Sequence, residues 1–304
     1  MTVRIGVIGL GDIAEKAYLP VLSQREDIEL VICTRNTDML NRLAHKYRLK
    51  EKVQTADELI EKKVDAVFIS AATDAHAELA QKLLKNDIPI YIDKPISLDF
   101  HESQSIAELA KETGNLAMVG FNRRFAPRVS ELKDHGKPDL LFMQKNRFAV
   151  QDPIRLSVAE DFIHVVDTLR FLMDTEATLA NVSYKRDGDK LNHLVIQLTG
   201  ESCTAIGVMN RNGGVNEEII EYSTGHDKYV VDGLVETTHY HDKNKNVSTF
   251  NAWDTTLYKR GFYSIVDHFL DCVKNNLEPD QSIADSLVTH QLCEEIVKKI
   301  DSGV

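Results

Sequence analysis

Short unbroken apolar runs alternate along the first 120 residues with segments whose apolar positions recur every three or four residues. The runs lie at residues 3–8, 28–33, 65–70, 88–92 and 116–120. A strand covered on both faces needs apolar side chains at nearly every position, so each run predicts a buried strand. The segments between them, at 14–23, up to 47, 57–62, up to 86 and 98–113, carry helical spacing. Asp38 is expected to help cap the second helix and Ser97 the last, with Gly114 as its stop signal. Alternation of this kind builds a doubly wound parallel sheet whose carboxyl-end loops form a binding face.

After Gly120 the pattern changes. A short helix at 121–127, a strand at 140–145 and an amphipathic helix at 160–173 come first. Strands at 178–185, 191–199, 204–209, 218–223 and 234–240 follow, joined by turn residues such as Asp187-Gly188, Gly213-Gly214 and Asp232-Gly233. Two helices close the chain, one with Phe262, Ile265, Val266, Phe269, Leu270 and Val273 on its core face, the other at 283–300. The expected fold class is α/β, with a domain at 1–120 and a second at 121–304 holding a mostly antiparallel mixed sheet.

The turn after the first strand reads Gly9-Leu10-Gly11-Asp12-Ile13-Ala14. Gly9 permits a tight turn, Gly11 lets a pyrophosphate approach the backbone, and Ala14 lets the helix pack closely on the strand. A strand–turn–helix with this fingerprint defines a Rossmann dinucleotide-binding domain, with Gly9, Gly11, Asp12 and Ile13 at the cofactor. The second strand ends in Thr34-Arg35-Asn36, without the acid that accepts from an adenosine 2′-hydroxyl. Thr34 and Arg35 therefore favour NADP(H), with NAD(H) as the alternative.

The net charge of −11 argues against nucleic acid and anionic membrane as general partners. With 43% hydrophobic and 27% charged residues the composition is that of a globular protein. Cys33, Cys203, Cys272 and Cys293 are scattered, without CxxC pairing, and read as reduced thiols. No signal segment and no run of about 20 apolar residues is visible, so a cytoplasmic location is expected.

Chemistry concentrates at two places. Lys94, at a strand end and fixed by Pro95, is positioned to polarise a substrate oxygen. On the helix at 160–173, an ideal 100° step puts Glu160, Asp161, His164, Asp167 and Thr168 on a polar face. Glu160 and Asp161 then reach the His164 imidazole and favour its proton-carrying form. Arg123 and Arg124 follow a strand end, where at least one is expected to face the cleft and surface salt-bridging is the alternative for either, while Arg147 and Arg155 are candidates for an anionic substrate group. His239-x-His241 places two imidazoles on one strand face but needs a further ligand, so no metal is expected. Trp253 reads as a packing anchor.

Taken together, these segments resemble the Gfo/Idh/MocA family of NAD(P)-dependent oxidoreductases over essentially the whole chain. The resemblance rests on Gly9–Ala14, the loop reaching His76, Tyr91-Ile92-Asp93-Lys94-Pro95, and Asp161-Phe162-Ile163-His164-Val165-Val166-Asp167. Residues 119–127 and Arg260-Gly261-Phe262 make it most similar to the MviM-like group. Membership implies hydride transfer on sugars, polyols or related carbonyl compounds. The family's Glu-Lys-Pro motif maps onto Asp93-Lys94-Pro95, and its Asp-x-x-x-His pair onto Glu160 and His164. Two carboxylates depart from that pattern: Asp93 stands for Glu, and Glu160 for Asp beside Asp161.

The implied catalytic set is Lys94, His164, Asp161 and Glu160. The implied cofactor contacts add Ala72, Thr73, His76, Asp93, Lys94 and Arg123 to those already named. Two alternatives stay open: an NAD-dependent inositol-type polyol dehydrogenase, and a catalytically silent dinucleotide-binding regulator. A small-molecule substrate and a homodimer or dimer of dimers, packed through the second-domain sheet, are expected as partners.

Overall fold

The computed structural model describes residues 2–303, which divide into two compact units. The first comprises residues up to Phe121 together with Phe262–Leu287; the second comprises Asn122–Gly261 and residues from Val288 onward.

The first unit is built on β1 (Val3–Ile8), which β2 (Ile28–Cys33) and β4 (Ala66–Ile69) flank in parallel. With β3 (Glu51–Val53), β5 (Ile90–Ile92) and β6 (Ala117–Val119) the order is β3-β2-β1-β4-β5-β6, all parallel. The order reverses between β1 and β4, and ligands of such sheets bind outside the carboxyl ends of the strands at that point. The helices are α1 (Leu19–Leu22), entered through a π-turn at Ala14–Tyr18, then α2 (Thr37–Tyr47), α3 (Ala56–Glu61), α4 (His76–Leu84) and α5 (Phe100–Thr113). Asn36, rather than Asp38, caps α2 by accepting from Met39 N. Asp99, rather than Ser97, caps α5, and Gly114 ends it in the left-handed conformation as expected.

In the second unit α6 (Pro127–Ser130) precedes β7 (Leu140–Asn146), α7 (Ile154–Leu156) and α8 (Ile163–Met173). Then come β8 (Thr178–Asp187), β9 (Lys190–Thr199), β10 (Thr204–Asn210), β11 (Glu217–Ser223), β12 (Asp227–Asp232), β13 (Glu236–His241) and β14 (Asn244–Ser248). The order β14-β13-β12-β11-β7-β10-β9-β8 is antiparallel except for the parallel β7–β10 pair. The mixed, mostly antiparallel sheet is as expected, but β12 and β14 were not anticipated. Both are rich in charged and polar residues, which hide a strand from a reading based on apolar alternation. Helix α8 packs on β7 and β10, where Gly207 leaves room: a Cβ there would lie 2.9 Å from Val165.

Past α9 (Thr256–Lys259), α10 (Phe262–Asn275) returns to the first unit, and α11 (Ile283–Ser302) follows. The expected second domain at 121–304 therefore gives up Phe262–Leu287. The cause is aromatic packing: Phe269 meets Phe68 and Tyr91 edge-on at 5.0 and 5.5 Å, and Phe262 meets Tyr18 at 5.8 Å. Arg25 with Asp267, and Lys274 with Asp27, fasten the same helix by ion pairs. Trp253, expected to be a packing anchor, is instead 95% exposed.

Candidate functional site

At the carboxyl end of the parallel sheet a cleft of about 790 Å³ is lined by Gly9–Ile13, Thr34–Asn36, Gln54–Asp57 and Ser70–Ala72. Gly9 has φ +88°, and a Cβ there would sit 2.2 Å from Ala71 N, so only glycine fits. Its carbonyl accepts from Ser70 Oγ at 2.8 Å, joining the two strands at the switch point. Gly11 differs: a Cβ there would meet no protein atom within 4 Å. Empty space in front of that backbone is what a pyrophosphate requires, so the residues present fit a dinucleotide.

Arg35 is exposed at the cleft edge and Asn36 is occupied in capping α2, so no carboxylate stands at the β2 tip. Asp12 is exposed and paired with Lys16 at 2.7 Å. Gln54, at the end of short β3, and Lys82, paired with Asp57 at 2.6 Å, also line the cleft. Sequence reasoning missed both: Gln54 follows a three-residue strand that carries no periodic signal, and Lys82 reads as one more charge on a helix.

His76 does not line this cleft. It is buried, with Nδ1 2.9 Å from Pro95 O and Nε2 3.0 Å from Ala71 O. Both partners are carbonyls, so the ring ties the Ala71 loop to the Lys94–Pro95 loop instead of facing a ligand. Ala72 is at the cleft as expected, whereas Thr73 and Asp93 are not among its lining residues. Asp93 accepts from Tyr18 Oη at 2.5 Å, and Tyr18 also meets Tyr91 Oη at 3.2 Å. Burial and the Asp93 carboxylate push the Tyr18 phenol well above its ordinary range, keeping it a proton donor. Gly120 leaves space for this cluster, since a Cβ would lie 2.8 Å from Tyr91 Oη. Asp93 thereby anchors the strand end that carries half-buried Lys94.

The second unit gathers its charges beneath α8. The chain enters α8 through α7 and a π-turn at Ser157–Phe162, and that wider turn breaks the ideal 100° step. On α8 itself the polar side chains face inward: His164, Asp167 and Thr168 are buried. Asp161, expected beside His164, faces a group of cations. Its oxygens lie 2.6 Å from Arg147, 3.0 Å from Lys145 and 3.1 Å from Arg211; against burial, which acts the other way, Arg147 and Lys145 hold its carboxyl well below the usual range. The His164 Nδ1 instead faces Arg123 Nη1 at 2.7 Å. A guanidinium only donates, so Nδ1 is the acceptor and the ring proton sits on Nε2.

Arg123, expected at the cofactor, belongs to this unit and is clamped by Glu218 through Nε and, at 2.9 Å, Nη2. Arg124 is spent on Asp167, which also accepts from Thr289 at 3.0 Å. Arg155 pairs with Glu294 at 2.6 Å, away from the pocket. That pocket, of about 540 Å³, is lined by Arg147, Asp152, Glu160, Asp161 and fully buried Arg211. Burial and neighbouring Arg123 push the Lys145 ammonium down to about 8, a mark of crowded positive charge. Lys145, Arg211 and Glu218 escaped sequence reasoning, because their partners come from other strands.

An all-parallel sheet with a glycine turn at its switch point, followed by a mixed sheet on which a helix with a buried histidine packs, is the architecture of a dinucleotide-dependent oxidoreductase. Two family models match: an oxidoreductase family with an NAD-binding Rossmann fold over residues 3–121, and a YceM-like C-terminal domain over 127–242. The chain belongs to the Gfo/Idh/MocA family of NAD-binding oxidoreductases. A crystal structure of a Gfo/Idh/MocA oxidoreductase from Vibrio cholerae is 34% identical, covers 99% of both chains and superposes with a TM-score of 0.92. The MviM dehydrogenase of Clostridium difficile is 27% identical over 98% of this chain and all of that one, with a TM-score of 0.94. YceM of Salmonella typhimurium is 29% identical over 97% of each chain. Among the described residues no helix is long and apolar enough to cross a membrane.

Proposed function

We propose that this enzyme uses NADP(H) to reduce a carbonyl group of a sugar, polyol-derived or related compound. The observation that carries the direction is the Arg123–His164 contact, which leaves a donor on Nε2. A ring in that state gives a hydrogen bond to a carbonyl oxygen and cannot take a hydroxyl proton until Arg123 releases Nδ1. When bound, the nicotinamide supplies the hydride. In the proposed reduction His164 Nε2–H hydrogen-bonds the substrate oxygen, and the Lys94 ammonium offsets the negative charge that grows on it and gives the proton that completes the alcohol; Glu160 is the acidic residue one turn before His164. Arg147 offers its guanidinium to an acidic group on the substrate. Nicotinamide absorbance with a panel of keto-sugars, inosose-type ketones and small keto acids tests the reading. No turnover of any carbonyl, with tight cofactor binding retained, would favour a silent regulator.

The polyol reading has support of its own. Myo-inositol 2-dehydrogenase of Thermotoga maritima is 30% identical over 69% of this chain. An NAD-dependent enzyme oxidising a cyclic polyol is accordingly the second reading, and it requires the opposite His164 tautomer.

Cofactor choice rests on Arg35 and on the β2 tip without an acid. NADPH is expected to bind more tightly than NADH by calorimetry, with Arg35→Ala narrowing the gap. Gly11→Val should keep the wild-type melting curve, since its side chain enters protein-free space, yet lose affinity for both nucleotides. Equal or better NADH binding by the unmutated enzyme sinks the NADP assignment.

Assembly through the second sheet is proposed on the same footing. Phe142, Val195, Ile206, Val208 and Ile219 are only half-buried and lie on the sheet face away from α8, where cross-strand pairing brings them together. Such an apolar patch is covered most simply by a second copy. Light scattering should give a dimer or tetramer mass at micromolar concentration; a monomer refutes it.

A further inference from the structure

One set of ligating side chains lies outside both clefts, at the end of the β12–β13 pair. Asp227 stands directly opposite His241 across the two strands, and His239 is two residues along on the same face of β13. Asp227 Oδ1 is 2.6 Å from His239 Nε2 and 2.8 Å from His241 Nδ1. One ligand atom from each of the three residues lies within 4.8 Å of the others.

The rings are also oriented from behind. His241 turns its other nitrogen, Nε2, to Asp242 Oδ2 at 3.3 Å. A carboxylate on the far nitrogen of a histidine fixes the ring orientation, and a metal that displaces the proton Nδ1 now gives to Asp227 takes its lone pair. The His239 ring lies flat on Tyr229, 4.4 Å away with the planes 4° apart, and Tyr229 stacks in turn on His135 at 4.1 Å. The cluster opens onto a surface cleft lined by residues 223–228 and 240–243, which leaves solvent access for a fourth ligand.

We propose that Asp227, His239 and His241 form a divalent transition-metal site, one per chain, that clips β12 to β13. Two imidazole nitrogens and one carboxylate oxygen are a zinc donor set, with water completing the tetrahedron. Bonds of about 2.0–2.2 Å need the two nitrogen–oxygen separations to widen by about 0.5–0.8 Å, within reach of side-chain rotation. The nitrogen-rich set selects Zn²⁺, Ni²⁺ or Cu²⁺ and disfavours Mg²⁺ and Ca²⁺, which take oxygen ligands. None of the three residues lines the nucleotide cleft or the Arg147 pocket, so the role is structural.

The test uses the full chain, stripped with a chelator and titrated with ZnCl₂ by calorimetry, with melting curves recorded alongside. One Zn²⁺ should bind per chain and raise the melting temperature, because an ion that binds only the folded state stabilises it. His239→Ala and His241→Ala should each abolish that binding, and Asp242→Asn should weaken it by about 10-fold. All three variants should keep wild-type NADPH affinity, and Mg²⁺ should produce neither heat nor a melting shift. Should His239→Ala unfold through loss of its stacking on Tyr229, the exposed His241→Ala carries the comparison. Absence of Zn²⁺ binding, or binding unchanged in His241→Ala, overturns the proposal.

Discussion

Lys94→Ala and His164→Ala should each lose about 10²–10⁴-fold in turnover while keeping NADPH affinity within a few-fold of wild type. In the proposed reaction each of these groups acts on the substrate oxygen, and the phosphates fall to the Gly9–Ile13 turn. Half-buried Lys94 sits on a strand end anchored by Asp93 and Tyr18, so removing its ammonium leaves the anchor in place. His164 is buried and its neighbour Arg123 remains held by Glu218 after truncation, so the pocket keeps its shape. Of the two, Lys94 is the likelier to disturb cofactor binding, because it shares the nucleotide-binding unit. The measurement is steady-state turnover on the true substrate beside calorimetric nucleotide affinity. Normal turnover by His164→Ala would remove the histidine from the chemistry.

Glu218→Ala should cost about 3–5 kcal/mol of stability, the range for breaking a buried ion pair by removing one partner. Glu218 is 8% exposed, bonded to Arg123 and directly across from buried Lys145 on β7. Without its carboxylate two cations stay buried with too little opposing charge. The same pairing sets an acid limb. Arg123 holds the Glu218 carboxyl down to about 2, below its ordinary 4.5, despite burial that acts the other way. A depressed folded value means that the ionised form stabilises the fold, so this contribution is complete above about 4.5. It drains away as pH falls from there towards about 2. Urea melts across that window should show a shallower acid decline for Glu218→Gln than for wild type; parallel declines would mean that Glu218 is not the titrating group.

How far the site was readable varied with the distance between partners. The glycine turn, Lys94 at a strand end and the missing acid after β2 are all local features, and the structure places them together in one unit. His76 was visible as part of a motif, but its role as a tie between two carbonyls depends on how the Ala71 and Pro95 loops approach each other. The polar face of the His164 helix was misjudged for a definite reason. An even 100° step does not hold through a π-turn, and Asp161 there meets Arg147, Lys145 and Arg211. The antiparallel half was recognised from its turn residues, yet β12 was missed, and β12 brings Asp227 to His239 and His241.

The sequence by itself determined the α/β class, the parallel nucleotide-binding sheet and the position of its phosphate turn. Those depend on strand periodicity and on glycine's freedom at Gly9, which act within a few residues along the chain. Only the tertiary structure decided that α10 completes the first unit through Phe262 and Phe269, and that Arg123 serves Glu218 and His164. It alone joined Asp227 to two histidines. Each of these is a pairing between distant positions, set by sheet register and burial. A lone charge in the sequence carries no sign of which opposite charge the fold will place beside it.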